Sequence, residues 1–226
     1  MPAKSTNSPK QPLATARRNR DAEVLRAAIE VFSEKGYSAA SVQEVGDRVG
    51  LLKGSLYHYI SSKESVLYRI FHEAHEEARA IMDAVAALEL PPRQHLYEYL
   101  RRLTLWYLAN RQRSQLYFTE WRYLTGDYAD VVRKERREFE GYVRAIIVRA
   151  HVDGTTRPDL DTMLASFAAV AAVNSVLVWF KPSGSYAAQH IAAEIAELAC
   201  ALVFCTSRTP DIPLPPSATT VPGLRG

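Results

Sequence analysis

A chain of 226 residues is long enough for one or two domains with a packed core. Its 47% hydrophobic and 23% charged residues are ordinary for a soluble globular protein. We find no apolar run long and uncharged enough to span a bilayer, and the first residues lack the apolar core of a signal peptide. We therefore expect a cytoplasmic protein with no membrane partner.

The excess of positive charge lies at the N-terminal end. Residues 1–65 contain ten Lys or Arg and seven Asp or Glu, whereas the rest of the chain carries both signs equally. Residues 1–20 are basic, contain no acid and are rich in polar residues, which predicts a disordered arm. Such an arm either contacts a nucleic acid along its minor groove or phosphates, or is a solvated tail without a defined contact.

A first helix is predicted over residues 22–35, where apolar side chains from Leu25 to Phe32 recur at helical spacing. After it, Ser41 and Glu44 form an S-x-x-E capping box, so a second helix begins at Val42 and ends near Gly50. We expect these helices to pack together and to support the segment that follows.

A third, short helix is predicted from Lys53 to Tyr59, with Leu56 and Ile60 turned inward and polar or aromatic groups turned outward. A second capping box at residues 61–64 then starts a long helix. This arrangement is a helix-turn-helix over residues 21–67, and double-stranded DNA is its expected partner. The expected DNA contacts are Ser41, Lys53, Gly54, Ser55, Tyr57, His58 and Lys63.

The run VQEVGDRVGLLKGSLYHYISSKESVL resembles the DNA-binding domain of the TetR family of bacterial transcriptional regulators. The resemblance covers roughly the first third of the chain. Many members carry Ser or Thr just before the Lys, where it caps the recognition helix, whereas Leu52 stands here. We therefore expect base contacts at the start of this helix to differ from those of such members.

The remaining residues, 68–206, are predicted to form a second, all-helical domain, followed by a disordered Pro-rich tail at 207–226. No strand-like alternation occurs, so the expected fold class is all-α. No nucleophile, P-loop, metalloprotease or dinucleotide-binding motif is present, which argues against an enzyme. We expect no metal site and no cofactor.

Two helices near the C-terminus, about 159–180 and 186–206, are rich in small and apolar residues on more than one face. They suit a homodimer in which paired helices from two chains form a four-helix bundle, and the family resemblance implies the same dimer. Ordinary core helices in a monomer are the alternative.

The resemblance further implies a small-molecule pocket in the second domain, whose ligand weakens operator binding. An aromatic lining with few polar groups suits a hydrophobic effector, although plain core is the alternative for each residue. The candidate lining residues are Trp106, Tyr107, Phe118, Trp121, Phe139, Tyr142, Phe167 and Asn174.

Three elements, LLKGSLYHYISSKE, DGTTRPDLD and VWFKPSG, are similar to an actinobacterial branch of the family that represses steroid-ring and fatty-acid degradation. This similarity implies an acyl-CoA effector, with Arg122, Lys181 or another exposed cation near the pocket mouth meeting the CoA phosphates. Residues 174–178 lack the Arg and Trp of the steroid-type members, so another acyl or lipophilic effector is an equal expectation.

We thus expect a ligand-responsive DNA-binding regulator, most simply a repressor released from a palindromic operator. A helical adaptor for a partner protein and an enzyme acting on a bound lipid are the alternatives.

Overall fold

The computed structural model describes residues 11–205, with side chains from residue 18 onward. Within this range the chain is all-α, as predicted, with no strand. The helices are α1 Gln11–Lys35, α2 Val42–Arg48, α3 Lys53–Leu56, α4 Lys63–Ala86, α5 Pro92–Ala109, α6 Arg111–Thr119, α7 Gly126–Val152, α8 Thr162–Trp179 and α9 Ala188–Phe204. A 3-10 turn, Trp121–Tyr123, separates α6 from α7.

The first helix is longer than predicted, because α1 begins at Gln11, inside the expected disordered arm. Leucine, alanine and arginine are strong helix formers, and extending an existing helix avoids the cost of nucleation. Proline is tolerated in a first helical turn, so Pro12 does not prevent this start. The predicted disorder is therefore wrong for residues 11–20, and residues 1–10 and 206–226 lie outside the described residues.

The predicted start of α2 is confirmed by its hydrogen bonds. The Ser41 Oγ accepts a hydrogen bond from the Glu44 backbone N–H at 3.2 Å, and the Glu44 carboxylate accepts one from the Ser41 N–H at 2.8 Å. Gly50 has φ +66°, a left-handed conformation that suits the turn after α2.

The next two elements differ from prediction by small amounts. The α3 helix contains four residues and ends at Leu56. The N-cap of α4 is Ser62, which exchanges hydrogen bonds with Ser65, each at 3.0 Å. The predicted box at residues 61–64 was one residue too early, because Glu64 makes its hydrogen bonds with another helix.

Two large hydrophobic cores and a small cluster of Val176, Leu177, Phe180 and Ile191 lie within the described residues. The first joins α1 to α4 and also takes in Leu116, Leu124, Ala129 and Val132 from α6 to α7. The second is formed by α4, α5, α7, α8 and α9. Because α4 belongs to both cores and continues through residue 67, the division of the chain at that residue stays a prediction.

The α8 helix shows that the expected absence of a long, uncharged apolar run was wrong. It has no charged residue over 18 residues and is long and apolar enough to cross a membrane, although about a third of it is buried in the fold. One side packs into the second core through residues such as Ala169 and Val173. On α8 and α9 an outward apolar surface remains, which we call the α8–α9 face: Leu164, Phe167, Val178, Leu198 and Leu202.

Candidate DNA interface and candidate effector cavity

The candidate DNA contacts lie on one local unit, around α2, α3 and the start of α4. Six of the seven side chains or backbone positions are exposed, whereas Lys63 is half-buried. Leu56 and Ile60 are fully buried beneath them, as predicted. The short helix thus presents its polar side to solvent because two apolar side chains anchor the other side.

Lys63 has intramolecular partners that the sequence did not reveal. Its ammonium donates a hydrogen bond to the Ser38 carbonyl at 3.1 Å and lies 4.4 Å from the ring centre of Tyr37. Partial burial lowers the pKa of Lys63, an effect that the nearby Glu44 carboxylate opposes. The charge is therefore held at the junction between the turn before α2 and the start of α4.

Leu52 occupies the N-cap position of α3 and makes no side-chain capping bond, as its apolar side chain dictates. It is 82% exposed, and Tyr57 at the other end of the element is 53% exposed. The short helix is thus flanked by two large, exposed side chains.

Gly46 is a position whose role sequence reasoning missed. A Cβ atom there would lie 2.8 Å from the Leu56 Cδ2 and 3.2 Å from the Leu51 carbonyl oxygen. A side chain at residue 46 would thus push α3 away from α2. Gly54, in contrast, has open space around a Cβ atom, which leaves room for another molecule.

A cavity of about 110 Å³ lies beside the second core, lined by α4, α5, α6, α7 and α8 and open to solvent on one side. Five of the eight predicted residues line it: Trp106, Tyr107, Phe118, Phe139 and Asn174. Other residues that were not among the eight candidates complete the lining, among them Ser114, Tyr117, Arg136, Glu140 and Val170.

Three predicted lining residues lie elsewhere. The Tyr142 hydroxyl hydrogen-bonds the Met82 carbonyl at 3.1 Å and the His95 Nε2 at 2.8 Å, within the core. Trp121 belongs to the 3-10 turn and packs against the first core. Phe167 is 47% exposed on the α8–α9 face. Helical spacing identifies apolar side chains, but it does not reveal which neighbour each side meets.

The cavity wall contains buried polar atoms without hydrogen-bond partners in the described part of the chain. They are the Ser114 Oγ, Tyr117 Oη, Tyr99 Oη, Arg136 Nη1, Asn174 Oδ1 and both ring nitrogens of His75. The His75 ring still lies 3.6 Å from the Glu138 carboxylate. Buried polar groups are normally paired, so this concentration around one cavity indicates room for a ligand with polar atoms.

Burial also sets the charge states of these groups. Desolvation raises the pKa of Tyr99, Tyr107 and Tyr117, so all three hydroxyls stay protonated at neutral pH. Desolvation lowers the pKa of His75, which is therefore neutral. Within this wall, Arg136 supplies the positive charge.

Direct contacts join the cavity region to the DNA-binding unit. The Tyr117 ring meets Phe71 of α4 edge-on at 5.3 Å, and Tyr123 lies 5.1 Å from Tyr37, between ring centres. The Glu64 carboxylate accepts hydrogen bonds from the N-cap residue of α7, Thr125. The same segment, α6 to α7, thus contributes to the cavity and to the first core.

Arg122 and Lys181, the expected CoA contacts, are both exposed and neither lines the cavity. Among residues 18–205, no group of three or more His, Cys, Asp or Glu side chains is placed to hold a metal ion.

An exposed helix-turn-helix joined by shared packing to a helical domain with its own cavity defines the class of DNA-binding transcriptional regulators. A profile described as "Bacterial regulatory proteins, tetR family" matches residues 24–70, and one described as "Tetracyclin repressor-like, C-terminal domain" matches residues 89–203. The chain therefore belongs to the tetR family of bacterial regulatory proteins. Regulators of this family bind operator DNA, form dimers and bind small ligands.

Several proteins are similar over most of the chain. The HTH-type transcriptional repressor KstR2 of Rhodococcus jostii (strain RHA1) is 27% identical over 177 residues, covering 77% of this chain and 86% of that protein. A solved regulatory protein of the tetR family from Rhodococcus RHA1 has 28% identity and a TM-score of 0.73, covering 83% of this chain and 98% of that one.

AibR, solved in complex with isovaleryl coenzyme A and operator DNA, has a TM-score of 0.71 at 22% identity. It matches 83% of this chain and 100% of its own. At that identity the likeness shows the fold alone.

Proposed function

We propose that this protein is a cytoplasmic, ligand-responsive repressor that leaves a palindromic operator when a hydrophobic small molecule fills the cavity. One observation carries the proposal: the segment from α6 to α7 belongs to both the cavity wall and the core beneath the recognition helix. Leu116 and Val132 pack in the first core, whereas Tyr117 and Arg136 line the cavity.

Linkage explains how such an arrangement regulates. A ligand that binds better to the dimer with separated recognition helices lowers DNA affinity by the ratio of its two affinities. Because α6 contacts both α1 and α4, a shift of the cavity wall changes the support of the DNA-binding unit. This role requires no chemical conversion of the ligand, and we infer a regulator without enzymatic activity.

On the DNA side, we assign Ser41, Tyr57 and Lys63 to phosphates, and Lys53 and Ser55 to base edges. Gly54 permits close approach of the backbone, and His58 contacts either kind of group. The exposure of Leu52 and Tyr57 beside these groups supports a contact surface here.

For the dimer, we propose that the α8–α9 face is its interface. A two-fold partner brings two copies of this face together and covers Leu164, Phe167, Val178, Leu198 and Leu202. The pairing also supplies the second recognition helix that a palindromic site needs.

For the effector, the proposed class is a hydrophobic molecule, with acyl-CoA thioesters among the candidates. KstR2 by its name represses transcription, and AibR was solved with isovaleryl coenzyme A. The aromatic and aliphatic lining of the cavity supports an apolar group, and the exposed Arg122 and Lys181 offer cations outside it.

The test begins with operator selection from random DNA using the full chain. Binding to the selected site is then titrated with and without hydrophobic ligands, including acyl-CoA thioesters. We expect a palindromic site and release by one ligand class. Selection of no sequence at moderate salt contradicts the regulator, and tight binding that no ligand disturbs contradicts ligand control.

A further inference from the structure

Arg136 stands out in the cavity wall because its charge has no carboxylate partner within residues 18–205. Its Nη1 is buried and lacks a hydrogen bond, whereas Arg133, one turn earlier on α7, pairs with Asp130 at 2.6 Å. Arg136 as a whole is half-buried, but the buried Nη1 edge of its guanidinium has lost its hydration and gains no pairing energy from an anion in return. The arrangement becomes favourable when a bound molecule supplies the missing negative charge.

Aromatic rings hold this guanidinium in place. Its central carbon lies 5.1 Å from the ring centre of Trp121, 5.5 Å from that of Tyr117 and 5.9 Å from that of Phe118. Contacts of this kind use the flat face of a guanidinium and leave its in-plane N–H donors for another group. The in-plane N–H donors of a guanidinium form a fork that can donate two parallel hydrogen bonds to the two oxygens of a carboxylate.

Two neutral donors accompany Arg136 in the lining. The hydroxyls of Tyr117 and Ser114 are both buried and without acceptors in the described residues. Because burial keeps the Tyr117 hydroxyl protonated, it donates and does not compete with an anion. A carboxylate has enough lone pairs to accept from the guanidinium and from hydroxyl groups together.

The volume of the cavity limits the rest of the molecule. An apolar cavity of about 150 Å³ is known to hold a benzene ring. The present volume of about 110 Å³ therefore suits a single ring or a short aliphatic chain. The nucleotide part of coenzyme A is far larger than this space, so a coenzyme A thioester could place only its acyl group inside it.

We propose that the effector is a small apolar carboxylic acid whose carboxylate pairs with Arg136 while its ring or chain fills the apolar part of the cavity. This inference rests on the proposed function and narrows its ligand class. It makes Arg136 the residue that selects the free acid over neutral analogues of the same shape.

Glu140 lies one turn beyond Arg136 on α7 and also lines the cavity. Its negative charge repels a bound carboxylate, so it reduces the affinity for acids without affecting neutral ligands. Removing this charge should thus have the opposite effect to removing that of Arg136.

The test measures binding to the purified full chain by calorimetry, without DNA. The probes are hexanoate, benzoate and phenylacetate, each compared with its primary amide, which has the same shape and no charge. We expect one or more acids to bind at least about tenfold more tightly than the amide. Arg136→Gln should bring that ratio to about one, and the neighbouring exposed Arg137→Gln should leave it unchanged.

Two further variants keep the test informative if Arg136→Gln does not fold. Arg136→Lys keeps the charge and should retain a preference for the acid, and Glu140→Gln should strengthen binding of the acid by about threefold but not of the amide. Equal binding of acid and amide, a preference that survives Arg136→Gln, or binding of no acid overturns the proposal. Tighter binding of phenylacetyl-CoA than of phenylacetate overturns it as well.

Operator release separates this inference from the proposed function. If neutral hydrophobic molecules release the operator and acids do not bind, the carboxylate is wrong and the regulator stands. If acids bind through Arg136 but leave operator binding unchanged, the acid site stands and ligand control of DNA binding is wrong.

Discussion

The Glu64 carboxylate accepts hydrogen bonds from the Thr125 backbone N–H at 2.6 Å and from the Thr125 hydroxyl at 2.9 Å. Glu64 lies in the first turn of α4, within the helix-turn-helix region, and Thr125 is the N-cap of α7. An acid at a helix N-terminus satisfies free N–H groups and interacts favourably with the helix dipole. The start of the cavity-lining α7 is thereby tied to the DNA-binding unit.

Removing this contact should weaken regulation more than DNA binding. We expect Glu64→Ala to bind operator nearly as the parent does, but to need about tenfold more effector for release, because one connection between the two units is lost. Operator titrations at several effector concentrations measure this. Asp127→Asn is the control and should respond normally. It neutralises the acid that α7 itself carries in its first turn. A normal response of Glu64→Ala would remove this contact from the coupling.

Gly46 and Gly54 form a matched pair for separating fold from DNA contact. Gly46→Ala should destabilise the protein by about 1–3 kcal/mol, since its Cβ meets the Leu56 side chain and the Leu51 carbonyl. Gly54→Ala should leave stability equal or slightly higher, because alanine favours a helix, yet lower operator affinity if DNA approaches closely. Chemical unfolding and DNA titration distinguish the two. Full operator affinity in Gly54→Ala would contradict the close approach.

Lys53 and Lys63 should differ in how they affect DNA recognition. Lys63→Ala should weaken binding to all sequences alike and make the salt dependence shallower by about one unit, as loss of one phosphate contact does. Lys53→Ala should relax discrimination at one base pair per half-site. Titrations over salt and operator variants measure both, with Lys134→Ala on the exposed side of α7 as the control. A uniform loss in Lys53→Ala, or an unchanged salt slope in Lys63→Ala, would exclude that role.

Two buried histidines should make the fold sensitive to acid. Desolvation is the main cause that lowers the pKa of His75 and of His95 below the ordinary 6.5, and Arg149 adds to the effect at His95. As the pH falls through about 6.5, the unfolded chain takes up protons that the folded chain does not, so the free energy of unfolding falls. It should recover as the pH rises above that value.

Urea unfolding between about pH 5.5 and pH 8 measures this effect. His75→Leu should show a smaller loss of stability at low pH than the parent. The comparison at pH 8, where both histidines are neutral in the folded and unfolded chains, isolates the packing cost of the substitution. A pH dependence equal to that of the parent would rule out His75 as a source.

The α8–α9 face should form the dimer interface. Leu164→Glu places a charge in this face and should raise the dimer dissociation constant by at least about tenfold, with a parallel loss of operator affinity. Sedimentation equilibrium measures the first and DNA titration the second. Leu88→Glu changes another exposed apolar residue outside α8 and α9 and is the control. A Leu164→Glu protein that remains a dimer would place the interface elsewhere.

Local signals in the sequence were enough to predict the DNA-binding unit. The Ser41–Glu44 box, Gly50 and the inward pair Leu56 and Ile60 act over one or two helical turns, and the structure agrees with each of them. The uncapped start of α3 at Leu52 was also visible in the sequence, since side-chain capping depends on one residue type. The all-α class followed from the absence of strand periodicity.

Tertiary packing alone decided the cavity and its connection to the DNA-binding unit. Helical spacing marks Trp121, Tyr142 and Phe167 as apolar, but their surroundings depend on helices distant in sequence, which place them in a turn, in the core and on the surface. In the sequence, Arg136 is one of many charged residues along α7. That it has no carboxylate partner among the described residues is evident only from the packing of α6 beside it. Glu64, likewise, fits a local cap in the sequence, yet bonds to Thr125 across the fold. Short-range periodicity and capping are thus encoded locally, whereas the partner of each side chain is set by how the helices pack.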